Sequence, residues 1–246
     1  MQIIPLSEGT FSVNQQKIFE HYVELNDSNK NNLVVDIQPF LIITNKDIIL
    51  LDTGLGLYQH NQLQIFENLR QHNINPLQIT KVLVSHLHTD HCSGMFYNSK
   101  DNNDMYLSFP NAMYYIRKDE YQFALTSNSN SYKKNLILQL NNFNKNIQWI
   151  YEEEGFIDDY IKFKKTSGHA PNHQVYWIYE NNQTIFYGGD EAPQFNQLLF
   201  TYKAKYDFNP SVAANYRKQW KEEGILNNWI FLFYHDLKNK IKSLNE

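Results

Sequence analysis

The chain has 246 residues, of which 42% are hydrophobic and 15% aromatic, and a formal net charge of −4. This composition can fill the core of one large domain, so we expect residues 1–246 to form a single domain. The negative charge and the scattered basic residues argue against nucleic-acid binding. No apolar run is long enough to span a membrane, and the N-terminus lacks a secretory pattern, so no membrane association and a cytoplasmic location are expected.

The hydrophobic pattern predicts most of the secondary structure. Alternating or continuous apolar runs predict strands over residues 17–25, 34–44, 48–51 and 79–84. Apolar residues at helical spacing predict helices over residues 62–71, 117–125, 132–143 and 210–223. The last of these helices begins with Asn209 as its cap and Pro210 in its first turn. The polar stretch 98–103 is typical of a surface loop.

Four side chains of the metal-ligating types lie within six residues, directly after the strand at 79–84: His86, His88, Asp90 and His91. Burying three imidazoles and a carboxylate without partners would be costly, whereas neutral imidazole and carboxylate are good ligands for zinc and similar metals. His86 and His88 point the same way on an extended segment, and a turn after them could direct Asp90 and His91 to a second point. One short segment could therefore serve two metals. An ordinary polar surface loop is the alternative interpretation.

Three further ligand-type residues each follow an apolar, strand-like run. His169 comes after residues 160–164, and Asp190 and His235 come after equally apolar runs. A single such histidine is more often an ordinary side chain than a ligand. Because the pattern recurs three times, it indicates that these residues gather at one edge of a sheet, where open α/β folds place their chemistry.

With these residues in place, the chain resembles the metallo-β-lactamase superfamily. The segments that carry the resemblance occur in the family's order and are Leu51-Asp52-Thr53-Gly54, His86 to His91, Gly168-His169, Gly188-Gly189-Asp190 and Tyr234-His235. The resemblance implies an α/β fold, an αββα sandwich of two mixed β-sheets flanked by helices, with a dinuclear metal site. It also implies the ligands of each metal: His86, His88 and His169 for the first, Asp90, His91 and His235 for the second, and Asp190 as a bridge between them.

Two further residues, Asp52 and Cys92, lie near these ligand segments. Asp52 matches a family position near the site, and it either supports a ligand or caps the turn before Gly54. Cys92, the single cysteine, excludes an internal disulfide, and we expect it to pack rather than to bind metal. The mixed nitrogen and oxygen ligands favour two zinc ions as cofactors, and manganese, iron or cobalt would also suit them.

Within the superfamily, the pattern is most similar to lactonase-like and thioesterase-like hydrolases, including N-acyl homoserine lactonases. The resemblance implies a metal-bridging hydroxide that attacks the carbonyl of a small-molecule lactone, ester or thioester, with Asp90 orienting the nucleophile and carrying a proton. The chain departs from those lactonases after Asp190, because residues 191–194 (Glu-Ala-Pro-Gln) lack their substrate-contacting tyrosine. Metal-dependent hydrolysis of a phosphodiester or a β-lactam and a non-catalytic metal-binding module are the alternatives.

Aromatic residues follow the ligand segments and suggest where the substrate binds. Phe96 and Tyr97 come shortly after the histidine cluster, and Tyr202 lies within the apolar segment 198–208. Segments that leave the ligand-bearing ends of strands should surround the site, so these three residues are predicted to line an apolar substrate pocket. The alternative is that they pack in the core.

Overall fold

The computed structural model describes residues 1–24, 30–98, 104–200 and 202–245. Its strands, in chain order, are β1 (Gln2–Pro5), β2 (Gly9–Val13), β3 (Phe19–His21), β4 (Leu33–Ile37), β5 (Phe40–Ile43), β6 (Ile48–Leu51), β7 (Tyr58–Gln59), β8 (Gln62–Leu63), β9 (Lys81–Leu83), β10 (Phe96–Asn98), β11 (Met105–Leu107), β12 (Met113–Arg117), β13 (Ile147–Ile150), β14 (Glu154–Ile157), β15 (Ile161–Lys165), β16 (Gln174–Glu180), β17 (Gln183–Tyr187), β18 (Ile230–Leu232) and β19 (Ile241–Ser243). Its α-helices are α1 (Gln64–Gln71), α2 (Thr89–Cys92), α3 (Lys118–Thr126), α4 (Lys134–Ile137), α5 (Phe195–Leu199) and α6 (Pro210–Leu226).

Two six-stranded sheets contain most of these strands. The first has the order β1-β5-β6-β9-β12-β13, and its strands run parallel from β6 to β13. The second has the order β14-β15-β16-β17-β18-β19, in which only β17 and β18 are parallel. Both sheets are therefore mixed, as predicted.

Side chains that alternate along the strands separate the core into layers. In β6, Ile49 and Leu51 point into the space between the sheets, whereas Leu50 points to the other face, where it packs near α1 and α3. In the second sheet Ile185 faces the first sheet, and Phe186 packs on the outer face with Trp220 of α6. Successive residues of a strand point to opposite faces, so each central strand contributes to two apolar layers. The predicted αββα sandwich is confirmed.

A smaller three-stranded sheet has the order β3-β2-β4. The sequence predicted one strand over residues 34–44, but Gln38 and Pro39 separate β4 from β5. Proline lacks the backbone N–H that a strand needs to donate to its neighbour, so one strand ends at this point and the next begins after it. The continuous apolar run gives no sign of this division. The resulting small sheet lies beside the ligand residues.

Other predicted elements agree with the structure in type and differ in extent. Helix α6 is confirmed with its cap, because the Asn209 side chain accepts a hydrogen bond from the Val212 N–H at 3.2 Å. The predicted helix over 132–143 is wrong in part, since α4 is short and continues as a 3₁₀ helix, Leu138–Asn146, with non-helical backbone angles at Phe143. The strand predicted over 17–25 is reduced to β3, and its last residue lies outside the described residues.

The loop predicted over 98–103 falls almost entirely outside the described residues, apart from Asn98, which ends β10. The helix predicted over 62–71 begins at Gln64, after the short hairpin of β7 and β8. Among the described residues, no helix combines the length and the apolar character needed to cross a bilayer.

Candidate metal centre

The segments that follow four strands bring the predicted ligands to one end of the sandwich. His86 and His88 lie on the segment after β9, and Asp90 and His91 lie in the short helix α2. The other three ligands follow later strands: His169 lies in the connection from β15 to β16, Asp190 in a 3₁₀ turn after β17, and His235 after β18. All seven side chains predicted from the sequence lie together.

The seven residues form two adjacent groups whose ligand-type atoms lie within 4.8 Å of one another. The first group is His86, His88, His169 and Asp190; the second is Asp90, His91 and His235. Asp190 faces both groups: its Oδ2 is 3.2 Å from His169 Nε2, and its Oδ1 is 3.0 Å from His235 Nε2 and 3.3 Å from His91 Nε2. One carboxylate thus presents a separate oxygen to each group.

The arrangement fits metal ions, because buried polar atoms at its centre have no hydrogen-bond partner among the described residues. These atoms are His86 Nε2, His91 Nε2 and Asp190 Oδ1. His91 Nε2 and Asp190 Oδ1 are 3.3 Å apart but do not form a hydrogen bond. Leaving such groups desolvated is unfavourable, and a cation in each ligand group would satisfy them.

Electrostatics separate the histidines into two types. Burial, together with the neighbouring His91 and His169 rings, lowers the pKa of His86 and His88 well below the usual value, so both are neutral, as metal ligation requires. Burial would also lower the pKa of His235, but the carboxylates of Asp190 and Asp90 raise it to about 9. The carboxylates of the second group therefore attract positive charge, which a metal ion can supply in place of a proton.

The ring nitrogens that face away from the centre have partners of their own. His91 Nδ1 lies 2.7 Å from Asp52, His169 Nδ1 3.1 Å from Asp207, His235 Nδ1 2.8 Å from the Asp36 carbonyl, and His86 Nδ1 3.0 Å from Ser85 Oγ. Such contacts fix the tautomer and the orientation of a ligating imidazole. The ligand nitrogens are thereby held towards the centre by the protein itself.

Asp52 holds the second group from behind. It is fully buried, and its carboxylate accepts hydrogen bonds from the Ser85 N–H at 2.7 Å, the Ser85 hydroxyl at 2.6 Å and the Tyr187 hydroxyl at 2.5 Å, in addition to contacting His91. The next residue, Thr53, donates its N–H to the His91 carbonyl at 2.7 Å. The segment 51–54 therefore fixes both the ring and the backbone of His91.

The sequence analysis missed a buried network behind His169. Asp207 contacts His169 with one oxygen and accepts a hydrogen bond from Arg217 with the other, at 3.0 Å, and both residues are fully buried. The signal for this network was present, because Arg217 lies in the apolar stripe of α6 that also contains Ala213 and Trp220. An arginine at a buried helix position requires a buried acceptor.

Glu191 supports His169 through the backbone, a role that the sequence left open. Its carboxylate accepts hydrogen bonds from the Gly168 N–H at 2.5 Å and the His169 N–H at 3.0 Å. A Cβ at position 168 would lie 2.4 Å from the same carboxylate, so glycine is required there. His173 is a further buried imidazole beside the centre, and its Nε2 accepts a hydrogen bond from the Asp190 N–H at 3.2 Å.

Cys92 lies outside both ligand groups, as expected for a packing residue. Its thiol is buried and donates to the Leu87 carbonyl, with the sulfur 3.4 Å from the oxygen. Burial raises the pKa of this thiol, which keeps it protonated. The side chain therefore behaves as part of the apolar core beneath α2.

The predicted substrate pocket needs correction. Phe96 is buried in the core, where it packs against Phe143, and Tyr97 packs against Phe66 in the same layer. Tyr202 is 55% exposed and does not line the cavity in front of the metal centre, so none of the three predicted residues does. The described residues that line it besides the ligands include side chains of the three-stranded sheet, together with Gln194 and Tyr206. The sequence could not show this, because β2, β3 and β4 are far from every ligand in the chain and reach the cavity only through tertiary structure.

Comparison with known proteins identifies a family. The sequence model described as the metallo-β-lactamase superfamily matches residues 34–235. No curated protein matches the sequence. Among solved structures, the fold is similar to that of a probable metal-dependent hydrolase from Staphylococcus aureus, with a TM-score of 0.77 and 19% identity over 98% of this chain and 91% of the other.

Two lactonases of known structure have the same fold. One is an N-acyl homoserine lactone hydrolase with N-hexanoyl-L-homoserine bound at its catalytic metal centre, with a TM-score of 0.68 and 20% identity over 99% of this chain and 96% of the other. The other is the dizinc quorum-quenching lactonase AidC, with a TM-score of 0.69 and 21% identity over 86% of this chain and 76% of the other. At these identities the similarity describes the fold.

Proposed function

This chain is a hydrolase of the metallo-β-lactamase superfamily, and we propose that it uses two divalent metals to hydrolyse a carbonyl substrate: a lactone, an ester or a thioester. The observation that carries the proposal is Asp190, whose two oxygens face two separate ligand groups. The proposed ligands are His86, His88 and His169 for one metal and Asp90, His91 and His235 for the other, with Asp190 shared. Zinc suits this mixture of nitrogen and oxygen donors, and the dizinc lactonase AidC supports that choice.

Divalent metals at such a site lower the pKa of a bound water and polarise a carbonyl group. The residues of the chain contribute position and proton transfer. Asp90 Oδ2 lies 3.4 Å from His235 Nε2 and 3.6 Å from His91 Nε2, and it also lines the cavity. It is therefore placed to orient a water and to accept its proton.

The environment keeps the Asp90 carboxyl group ionised, which orienting a water requires. Burial would raise the pKa of its carboxyl, but the neighbouring His91 and His235 hold it at about 2. The carboxylate is consequently ionised at neutral pH and can accept a hydrogen bond from water. The Tyr234 hydroxyl donates to the Asp90 carbonyl at 2.6 Å, which fixes the backbone of α2.

An activity panel with a matched variant tests the proposal. Metal-replete protein should hydrolyse at least one member of a set of lactones, esters and thioesters, and a chelator should abolish this activity. Asp90→Ala should reduce kcat by at least about 100-fold, in the range expected when a positioned acid–base group is removed. Glu222→Ala, a change of an exposed carboxylate on α6, is the control and should retain full activity.

Two results would contradict the proposal. A metal-replete preparation that leaves every carbonyl compound intact but cleaves a phosphodiester would assign the centre to another bond. Full activity in Asp90→Ala would show that this carboxylate does not take part in the reaction.

A further inference from the structure

The cavity in front of the metal centre has two unlike walls. One contains the ligand residues, and the other is apolar and is formed by the three-stranded sheet, through Val13, Phe19, Leu33 and Val35. Leu33 is 43% exposed and Phe19 is half-buried, so part of this apolar wall can be covered by a ligand. An apolar chain attached to the reacting carbonyl would lie along it.

Lys17 places a positive charge on the same wall. It lies in the turn between β2 and β3, where Asn14 Oδ1 accepts hydrogen bonds from the N–H groups of Gln16 and Ile18, at 2.9 and 3.0 Å. The Lys17 N–H itself donates to the Asn14 carbonyl at 3.1 Å. These bonds fix the backbone of the turn and so direct the lysine side chain to the cavity, which it lines.

The Lys17 ammonium has no carboxylate partner in the described part of the chain, and it is the only lysine or arginine among the described residues that line the cavity. Its nearest aromatic group is Tyr206, whose ring centroid is 6.0 Å from Nζ. The Tyr206 ring is in turn 5.9 Å from that of His169, a proposed ligand. One tyrosine ring therefore separates the free cation from the metal centre.

We infer that the substrate carries an acyl group that ends in an anion, which Lys17 binds. The inference rests on the proposed carbonyl hydrolase activity and specifies its substrate class: ω-carboxyacyl esters and thioesters. The apolar wall would hold the methylene chain, and the unpaired ammonium at the end of that wall would hold the terminal carboxylate. Lys17 is exposed, so an anion can reach its ammonium without displacing a carboxylate of the described residues. The pairing therefore has the modest strength of an exposed ion pair.

A pair of thioesters that differ only at the end of the acyl chain tests the inference. The probes are the glutaryl and pentanoyl thioesters of N-acetylcysteamine, which share the reacting carbonyl, the chain length and the neutral leaving group. We expect the wild-type protein to prefer the glutaryl compound by about fivefold in kcat/KM, the upper end of what an exposed ion pair contributes. Lys17→Gln should remove this preference, because it should raise KM for the glutaryl compound far more than KM for the pentanoyl compound.

Two further variants separate charge recognition from a general effect. Lys17→Arg keeps the charge and should keep the preference. Lys218→Gln removes an exposed charge on α6, away from the cavity, and should behave as wild type. Metal content and melting temperature, measured on all variants, should be unchanged.

The outcomes distinguish the inference from the proposed function. Hydrolysis of both thioesters with equal kcat/KM, or an equal loss of both activities in Lys17→Gln, would overturn the role of Lys17 and leave the carbonyl hydrolase proposal intact. If metal-replete wild-type protein hydrolyses no thioester, ester or lactone, the proposed function itself is wrong.

Discussion

Buried carboxyl groups hold the segments around the metal centre, and each does so with a different partner. Asp52 holds the His91 ring, Glu191 holds the backbone before His169, and Glu8 holds the turn at residues 54–55. Glu8 Oε2 accepts a hydrogen bond from the Leu55 N–H at 2.7 Å, while its Oε1 has no partner among the described residues. A Cβ on Gly54 would lie 2.5 Å from this carboxyl group, and the φ of +79° also favours glycine there.

Glu8 should make the stability of the protein depend on pH. Burial raises the pKa of its carboxyl group from 4.5 to about 8. The folded state therefore holds this proton more tightly than the unfolded state, so the contribution of Glu8 to stability decreases as pH rises from 4.5 to 8. The slope from one such group is at most about 1.4 kcal/mol per pH unit.

Glu8→Gln should remove this dependence, because the amide keeps the shape and the acceptor but cannot ionise. Denaturant unfolding gives the free energy of unfolding of both proteins. We expect the value for the variant minus the value for the wild type to increase as pH rises from 4.5 to 8. Glu222→Gln, at an exposed position on α6, is the control. A constant difference between Glu8→Gln and wild type from pH 4.5 to 8 would show that Glu8 does not titrate as described.

At the scale of elements, the site depends on where strands end, and this much could be predicted from the sequence. The runs before Asp190 and His235 are apolar, and the structure places β17 and β18 side by side and parallel, so that their carboxyl ends meet. The layout of the walls could not be predicted in the same way. The three-stranded sheet contacts the site only through tertiary structure, and the Pro39 break that creates it lies within an otherwise continuous apolar run.

Helix α6 shows the same limit, since its cap was predicted from sequence but its connection to the site was not. Arg217 donates from Nε to the Glu191 carbonyl at 2.5 Å and from Nη1 to the Tyr202 carbonyl at 2.7 Å, besides pairing with Asp207. Local sequence predicts helix and cap, whereas the partner of a buried arginine depends on which loop packs against it. This one side chain joins the loop after β17, the segment before α6 and, through Asp207, the His169 ring.

Arg217→Met should therefore destabilise the protein by about 3–5 kcal/mol, because it leaves the fully buried Asp207 carboxylate without its cation. Denaturant unfolding measures this loss. Lys218→Met makes a comparable change at the next, exposed position of the same helix and should alter stability by less than about 0.5 kcal/mol. Equal effects of the two substitutions would show that the buried network contributes nothing specific.

For the whole molecule, the αββα sandwich explains why ligands from distant parts of the chain converge. The first sheet delivers the segment of His86 to His91, and the second delivers His169, Asp190 and His235, so the centre lies where the ends of the two sheets meet. The family resemblance in the sequence was sufficient to predict this arrangement. It was not sufficient for the surroundings of the site, where Phe96 and Tyr97 proved to be core residues and β2 to β4 form the apolar wall.

Metal stoichiometry tests the central claim, two ligand groups that share Asp190, most directly. Elemental analysis of protein purified without chelator and dialysed after exposure to excess zinc should find close to two metal ions per chain, and His235→Ala should retain about one, because only the second group loses a ligand. Thermal stability should fall with the lost metal, since binding stabilises only the folded state. One metal ion per chain in the wild type, or two in His235→Ala, would contradict the dinuclear centre.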